Sequence, residues 1–118
     1  MKRQVLTCAL TLALGLSLGQ SAFAVSGPLQ TPLKVTYIYT VDANGALYVH
    51  FQAGAMPGCY GNAGGYLLTG NTFFKEIYAQ LLMMVSNGGI QAAVIYTQNT
   101  PTNNWGDCTI TGISLQPQ

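Results

Sequence analysis

Alternation of apolar and polar residues marks the first regular part of the chain. Residues 33–41 are rich in β-branched and aromatic side chains, and residues 46–52 alternate without interruption. One face of this second stretch carries Leu47, Val49 and Phe51, and the other carries Tyr48, His50 and Gln52. Asn44-Gly45 lies between the two stretches and suits the positive φ angles of a tight turn. The pattern predicts an antiparallel β-hairpin.

The spacing of apolar residues changes to a period of about 3.6 after residue 71, which is typical of an amphipathic helix. The predicted buried stripe consists of Phe74, Ile77, Tyr78, Leu81, Met84 and Val85. Asn71 or Thr72 can cap the N-terminus, and Glu76 places a negative charge in the first turn, where the helix dipole favours it. Asn87-Gly88-Gly89 predicts a left-handed stop.

The other segments complete the element order β-β-β-α-β-β. Residues 25–32 carry two prolines and predict an irregular N-terminal arm, and residues 53–65 hold five glycines and predict a loop. The three further strands are predicted at residues 66–69, 90–98 and 108–116. In the last strand the apolar positions change phase at Thr111-Gly112, which indicates a β-bulge or a barrel corner.

The first 24 residues have the composition of a signal peptide. Lys2 and Arg3 precede an apolar stretch at residues 5–18, and Ala22-Phe23-Ala24 supplies the small residues that signal peptidase accepts. We expect cleavage after Ala24, a mature single domain over residues 25–118, and a secreted or periplasmic protein. A retained membrane anchor is the weaker alternative, because the apolar stretch is shorter than the roughly 20 residues of a bilayer span.

Cysteine usage predicts one disulfide. Cys8 lies in the leader, so the mature chain keeps only Cys59 and Cys108. In an oxidising compartment these two thiols are expected to pair within the chain. An intermolecular bridge or a redox pair is the alternative, which is weakened by the absence of a Cys-x-x-Cys spacing.

The mature part of the chain is nearly uncharged. Two of the four basic residues belong to the leader, so two lysines stand against three acids and the net charge is −1. Recognition of a nucleic-acid backbone needs basic residues, so we expect no nucleic-acid partner. The three acids and His50 have no metal-ligand spacing and no acid/base or nucleophilic arrangement. We therefore expect no metal, no cofactor and no enzymatic activity.

A polar loop with the chain's single tryptophan is the predicted ligand site. Its residues are Asn103, Asn104, Trp105 and Asp107, and Tyr60 and Asn62 of the glycine-rich loop form the second wall. An aromatic ring can stack on the C–H groups of a sugar, while amides and carboxylates hydrogen-bond its hydroxyls. The opposing interpretation is that Trp105 packs over the disulfide as part of the core.

Tyrosines at strand positions form a second candidate surface. Tyr37, Tyr39, Tyr48 and Tyr96 could build an aromatic platform of the kind that binds single-stranded nucleic acid. Because no basic residues accompany them, we expect these side chains to be half-buried barrel residues instead.

The order β-β-β-α-β-β is that of the OB-fold, a partly open five-stranded barrel with one helix, although other small α+β sheets share it. A helix, a strand and a short polar loop precede the closing strand, whose sequence is Cys108-Thr109-Ile110-Thr111-Gly112-Ile113. This closing strand and the segments before it carry a resemblance to a known family. Over residues 33–115 the chain resembles small secreted OB-fold proteins related to the B subunits of AB5 toxins, of the subtilase-cytotoxin and pertussis-like type.

This resemblance implies a ring of five subunits that binds glycans or glycoproteins on host cells, with its helices facing a central pore and carrying an enzymatic A subunit. Leu82 and Met83, which widen the apolar side of the helix, fit burial between subunits. The first hypothesis is therefore a secreted, non-catalytic, homo-oligomeric glycan-binding module. The alternative is an envelope or structural subunit, or an inhibitor-like protein-binding module, because uncharged strand edges favour self-association.

Overall fold

The computed structural model describes residues 23–41, 45–98 and 108–116, and these form a mostly-β α+β fold with one helix. The elements in chain order are β1 (Ala24–Ser26), β2 (Gln30–Leu33), β3 (Val35–Val41), β4 (Ala46–Phe51), β5 (Gly64–Leu68), α1 (Phe74–Asn87), β6 (Ile90–Gln98) and β7 (Cys108–Leu115). The predicted hairpin (β3 and β4) and the predicted helix are both present. The predicted fold class is therefore confirmed at this level.

The strands form one sheet in the order β1-β6-β7-β5-β4-β3, and β2 also pairs with β6. The contact between β5 and β7 is parallel, and the other pairs are antiparallel. Among the described residues the sheet has seven strands and is open, so the predicted five-stranded, OB-fold-like barrel is not confirmed.

The N-terminal arm differs most from the prediction, because β1 and β2 lie in or beside the segment that is predicted to be irregular. Gln30 pairs with Ala92 and Leu33 with Ile90, and the register shifts between these two pairs. Pro32 therefore lies at an irregularity of an edge strand, where a missing N–H donor costs little. Gly27 adds a further link, since its N–H donates to the Val94 carbonyl over 2.8 Å.

The core lies between α1 and one face of the sheet, and the predicted apolar face of β4 contributes to it. Ile77, Leu81 and Met84 are the buried residues of the helix, and Phe74 is partly buried. Tyr78 and Val85 were predicted to be buried but are exposed, because α1 contacts the sheet along a narrower stripe than the apolar pattern suggests.

The C-terminal end of the helix follows the predicted signal, whereas the predicted N-cap at Asn71 or Thr72 is wrong, because Phe73 holds the N-cap position without a side-chain cap. The Asn71 side-chain carbonyl accepts a hydrogen bond from the Phe73 N–H at 2.8 Å, although Phe73 is the residue in the N-cap position. Gly88 adopts the left-handed conformation, with φ of 72°, and the Gly89 N–H donates to the Met84 carbonyl. The left-handed stop is confirmed.

Two further predictions are confirmed in the last strand. Ile95 pairs with Gly112 and Tyr96 with Ile110, so Thr111 is the extra residue of a β-bulge. Cys108, at the start of the same strand, forms the disulfide with Cys59, and both residues are buried. A helix long and apolar enough to cross a bilayer does not occur within residues 23–41, 45–98 and 108–116.

Candidate functional site

The predicted loop site falls largely beyond what the structure describes. Asn103, Asn104, Trp105 and Asp107 lie outside the described residues. Tyr60 and Asn62 lie in the loop between β4 and β5, where Tyr60 is half-buried and makes a bridge to Gly64. The Asn62 side-chain oxygen accepts a hydrogen bond from the Gly58 N–H at 3.2 Å. Asn62 therefore helps to shape the loop itself.

A group of aromatic side chains occupies the opposite side of the sheet from the core. We call it the tyrosine face, and it consists of Tyr37, Tyr39, Tyr48, His50 and Tyr66 on β3, β4 and β5. The pairing register explains the grouping, because Tyr39 lies opposite Tyr48 and Tyr48 lies opposite Tyr66. Side chains in directly opposed positions of antiparallel strands come into contact.

The rings of the tyrosine face touch one another in a continuous array. Tyr37 stacks on His50 with ring centroids 4.6 Å apart, and Tyr39 lies 5.1 Å from Tyr48. Tyr66 meets Tyr48 edge to face at 5.4 Å. These separations are within the favourable range for aromatic pairs. The array is therefore ordered before any ligand arrives, which lowers the entropic cost of binding.

Burial distinguishes the buried ring of Tyr48, which we call the floor of the array, from the exposed rings at its surface. Tyr48 is fully buried, whereas Tyr37 is 42% and Tyr39 is 37% exposed. Burial raises the pKa of Tyr48, with a smaller contribution from Tyr37, and burial also raises the pKa of Tyr39. Both hydroxyls are therefore protonated and neutral at physiological pH. The surface offers ring faces and neutral hydroxyl groups.

His50 is the one member of the face whose side chain has an ordinary pKa near neutral pH. Its Nδ1 lies 2.7 Å from the Thr36 hydroxyl oxygen, and the same hydroxyl lies 2.9 Å from the His50 carbonyl. Burial lowers the pKa of His50, so the imidazole is neutral at physiological pH. The tyrosine face as a whole thus carries no formal charge at that pH.

The lowered pKa of His50 predicts a pH-dependent stability. The unfolded chain, with a pKa near 6.5, takes up the proton before the folded chain does. The stabilisation from neutral His50 is therefore complete above pH 6.5 and is lost as the pH falls through the folded-state pKa. Urea midpoints measured from pH 8 to pH 5 should fall more steeply for the wild type than for His50→Gln. Parallel slopes for the two proteins would contradict this assignment.

The sequence located this face only in part. Tyr37, Tyr39 and Tyr48 were considered together, but Tyr96 lies on the core side, where its hydroxyl donates to the Pro57 carbonyl at 2.7 Å. The predicted tyrosine group lacks Tyr66, and His50 is predicted only to share the strand face of Tyr48. The alternation of β4 already places His50 beside Tyr48, whereas Tyr66 joins through the register of β4 and β5.

Comparisons with known proteins give no match: no family model fits the chain, and no curated protein or solved structure is similar to it.

Proposed function

We propose that the mature chain is a secreted, non-catalytic binding module that holds a neutral part of a glycan against the tyrosine face. The observation that carries the proposal is the exposed pair Tyr37 and Tyr39 on an ordered, uncharged array of rings. The negative face of an aromatic ring attracts the C–H groups of a sugar. Phenol hydroxyls both donate and accept hydrogen bonds, as sugar hydroxyls do.

The scarcity of cationic side chains favours a neutral ligand over a nucleic acid. Beyond the leader, the sequence contains only Lys34 and Lys75 as cations, and neither belongs to the tyrosine face. Each phosphate of a bound nucleic acid would need neutralisation by such groups. Stacking of sugar rings needs no cation, so the same aromatic surface suits a neutral glycan better than a nucleic acid.

The toxin-subunit interpretation extends this proposal to the fold and the assembly. β2 and β3 follow each other directly, yet β2 pairs with β6 and β3 pairs with β4. The continuous segment of β2 and β3 therefore connects the two ends of the strand order. This connection supports an arrangement like that of the partly open OB barrel. On this proposal the chain forms a homo-oligomer, such as a pentamer, in which several weak sites bind one cell surface together and an A subunit is carried.

Replacing Tyr37 by alanine should weaken glycan binding by about 2 kcal/mol, or roughly 30-fold, as is usual for an aromatic residue that dominates an interface. The check is a glycan array followed by calorimetry on the sugars that bind the wild type. Tyr78→Ala is the matched control, because Tyr78 is a similarly exposed tyrosine on α1, away from the tyrosine face. Equal losses in both variants, or binding that survives Tyr37→Ala, would exclude this surface.

The free edge of β3 favours the second candidate, a self-associating structural or protein-binding subunit. Within the described ranges β3 pairs only with β4, and the seven residues VTYIYTV contain no charge and no proline. Natural edge strands usually carry charged residues or proline, which protect them against pairing with another chain. Light scattering on the array sample separates the candidates: an open-ended polymer that binds none of the glycans would favour the second.

A further inference from the structure

We infer that two copies of this chain pair through their β3 strands, so that their tyrosine faces form one surface. The pairing is antiparallel and twofold-symmetric, with Ile38 of each copy at the symmetry axis. The use of the joined surface for a glycan deepens the proposed function and rests on it. The pairing of the strands itself requires no ligand.

The sequence of β3 is complementary to itself. Its seven residues read VTYIYTV, which is the same in both directions. Two antiparallel β3 strands centred on Ile38 therefore place Tyr37 of one copy opposite Tyr39 of the other. In the same way, Thr36 lies opposite Thr40. Opposed aromatic residues and opposed threonines are favourable cross-strand pairs, and β3 has no charge that would repel its copy.

The burial of alternate residues is compatible with this register. Tyr37 and Tyr39 are exposed on the tyrosine face, whereas Ile38 is half-buried and packs against the core. With Ile38 opposite Ile38, the exposed tyrosines of both copies lie on one side of the joined sheet and both cores lie on the other. A shift of one residue would join the tyrosine face of one copy to the core face of its partner.

The position of β3 at the end of the sheet leaves one side of the strand for this pairing. In the described part of the chain β3 pairs with β4 alone. The exposed side chains of the strand include Thr36, Tyr37, Tyr39 and Thr40. An edge strand presents backbone N–H and C=O groups along its outer side, and a second strand satisfies them by addition to the sheet.

The lengths of the strands favour a closed pair over an open-ended polymer. When β3 meets β3 about a twofold axis, both edges are used and the assembly stops at two copies. A polymer would need β3 to pair with the other end of the strand order, where β1 has three residues and β2 has four. The seven residues of a second β3 offer a longer match.

The pairing also enlarges the proposed binding surface. The tyrosine face of one copy covers β3, β4 and β5, so two copies cover six adjacent strands. Neighbouring strands lie about 4.8 Å apart, which widens the surface from roughly 10 Å to roughly 24 Å. Tyr37 and Tyr39 of both copies lie at its centre. A surface of this width suits a linear oligosaccharide better than a single sugar ring.

Light scattering on the mature, oxidised chain should give the mass of two copies. Replacing Thr36 and Thr40 both by lysine puts like charges opposite each other and should weaken dimerisation about 10-fold at low salt. The matched control is Thr36→Glu with Thr40→Lys, which puts opposite charges there and should dimerise as tightly as the wild type. Both variants lose the contact of the Thr36 hydroxyl with His50, so its loss is matched. Circular dichroism checks that both are folded.

An NMR experiment on mixed labelled and unlabelled wild-type chains tests the register without any substitution. Contacts between the backbone protons of Tyr37 in one copy and Tyr39 in the other are expected. Absence of these contacts, or a dilysine variant that dimerises as tightly as the wild type, would overturn the inference. A monomer at the highest soluble concentration, a ring of five or an open-ended polymer would overturn it as well.

Calorimetry with linear oligosaccharides of increasing length separates the pairing from the proposed function. Among sugars that bind the wild type, the longer ones should bind roughly 10-fold more tightly, and the dilysine variant should lose this gain. A dimer that binds no glycan would support the pairing and overturn the proposed function. A monomer that binds glycans would do the reverse. Affinity independent of length in a dimer would overturn the shared surface.

Discussion

Replacing both Cys59 and Cys108 by alanine is expected to lower the free energy of unfolding by about 4 kcal/mol. The disulfide joins residues 49 positions apart in the sequence, so it removes a large part of the conformational freedom of the unfolded chain. Small domains are stable by only about 5 to 15 kcal/mol, and a domain of this size has a limited core. The double variant should therefore unfold at a much lower denaturant concentration.

Urea unfolding followed by circular dichroism measures this effect. With a slope of about 2 kcal/mol per molar urea, the midpoint should fall by roughly 2 M. Wild-type protein in a reducing buffer is the matched control, because it loses the bond but keeps both buried sulfur atoms. If the reduced wild type and the oxidised wild type unfold at the same midpoint, the bond does not stabilise the fold as argued.

The elements that the sequence predicts well are those with a local cause. The hairpin of β3 and β4 follows from alternation and a turn signal, and the end of α1 follows from Gly88, whose positive φ few other residues adopt. The bulge at Thr111 is visible as a change of phase in the apolar positions. The disulfide follows from the number of cysteines outside the predicted leader.

The features that the sequence misses depend on contacts between distant segments. β2 pairs with β6 although it contains Pro32, because an edge strand tolerates a missing donor. Val85 is exposed because the sheet covers only part of the apolar surface of α1. A hydrophobic pattern shows which residues can be buried, but the shape of the partner surface determines which of them are.

The same distinction between local signals and long-range contacts applies to the tyrosine face. Tyr37 and Tyr48 can be assigned to strand faces from alternation, but their contact with Tyr66 depends on the register of three strands.

Gly64→Ala is expected to destabilise the fold by about 1 to 3 kcal/mol and to disrupt the tyrosine face. A Cβ atom at residue 64 would overlap the Tyr48 hydroxyl oxygen and lie 2.7 Å from its Cζ atom. Tyr48 is fully buried beneath neighbouring rings, so it cannot move aside without displacing them. The added methyl group thus acts directly on the floor of the proposed binding surface.

Thermal unfolding and near-ultraviolet circular dichroism measure the stability and the packing of the tyrosine rings in Gly64→Ala. Gly70→Ala is the matched control, because a Cβ atom there would meet no heavy atom within 4 Å. Adding Tyr48→Phe to Gly64→Ala removes the overlapping oxygen, so it should restore part of the lost stability. If the double variant is no more stable than Gly64→Ala, the cost does not come from the Tyr48 hydroxyl. Wild-type stability and an unchanged tyrosine signal in Gly64→Ala would mean that Tyr48 can move to accommodate the added methyl group. The tyrosine face could then not be ordered in advance of its ligand.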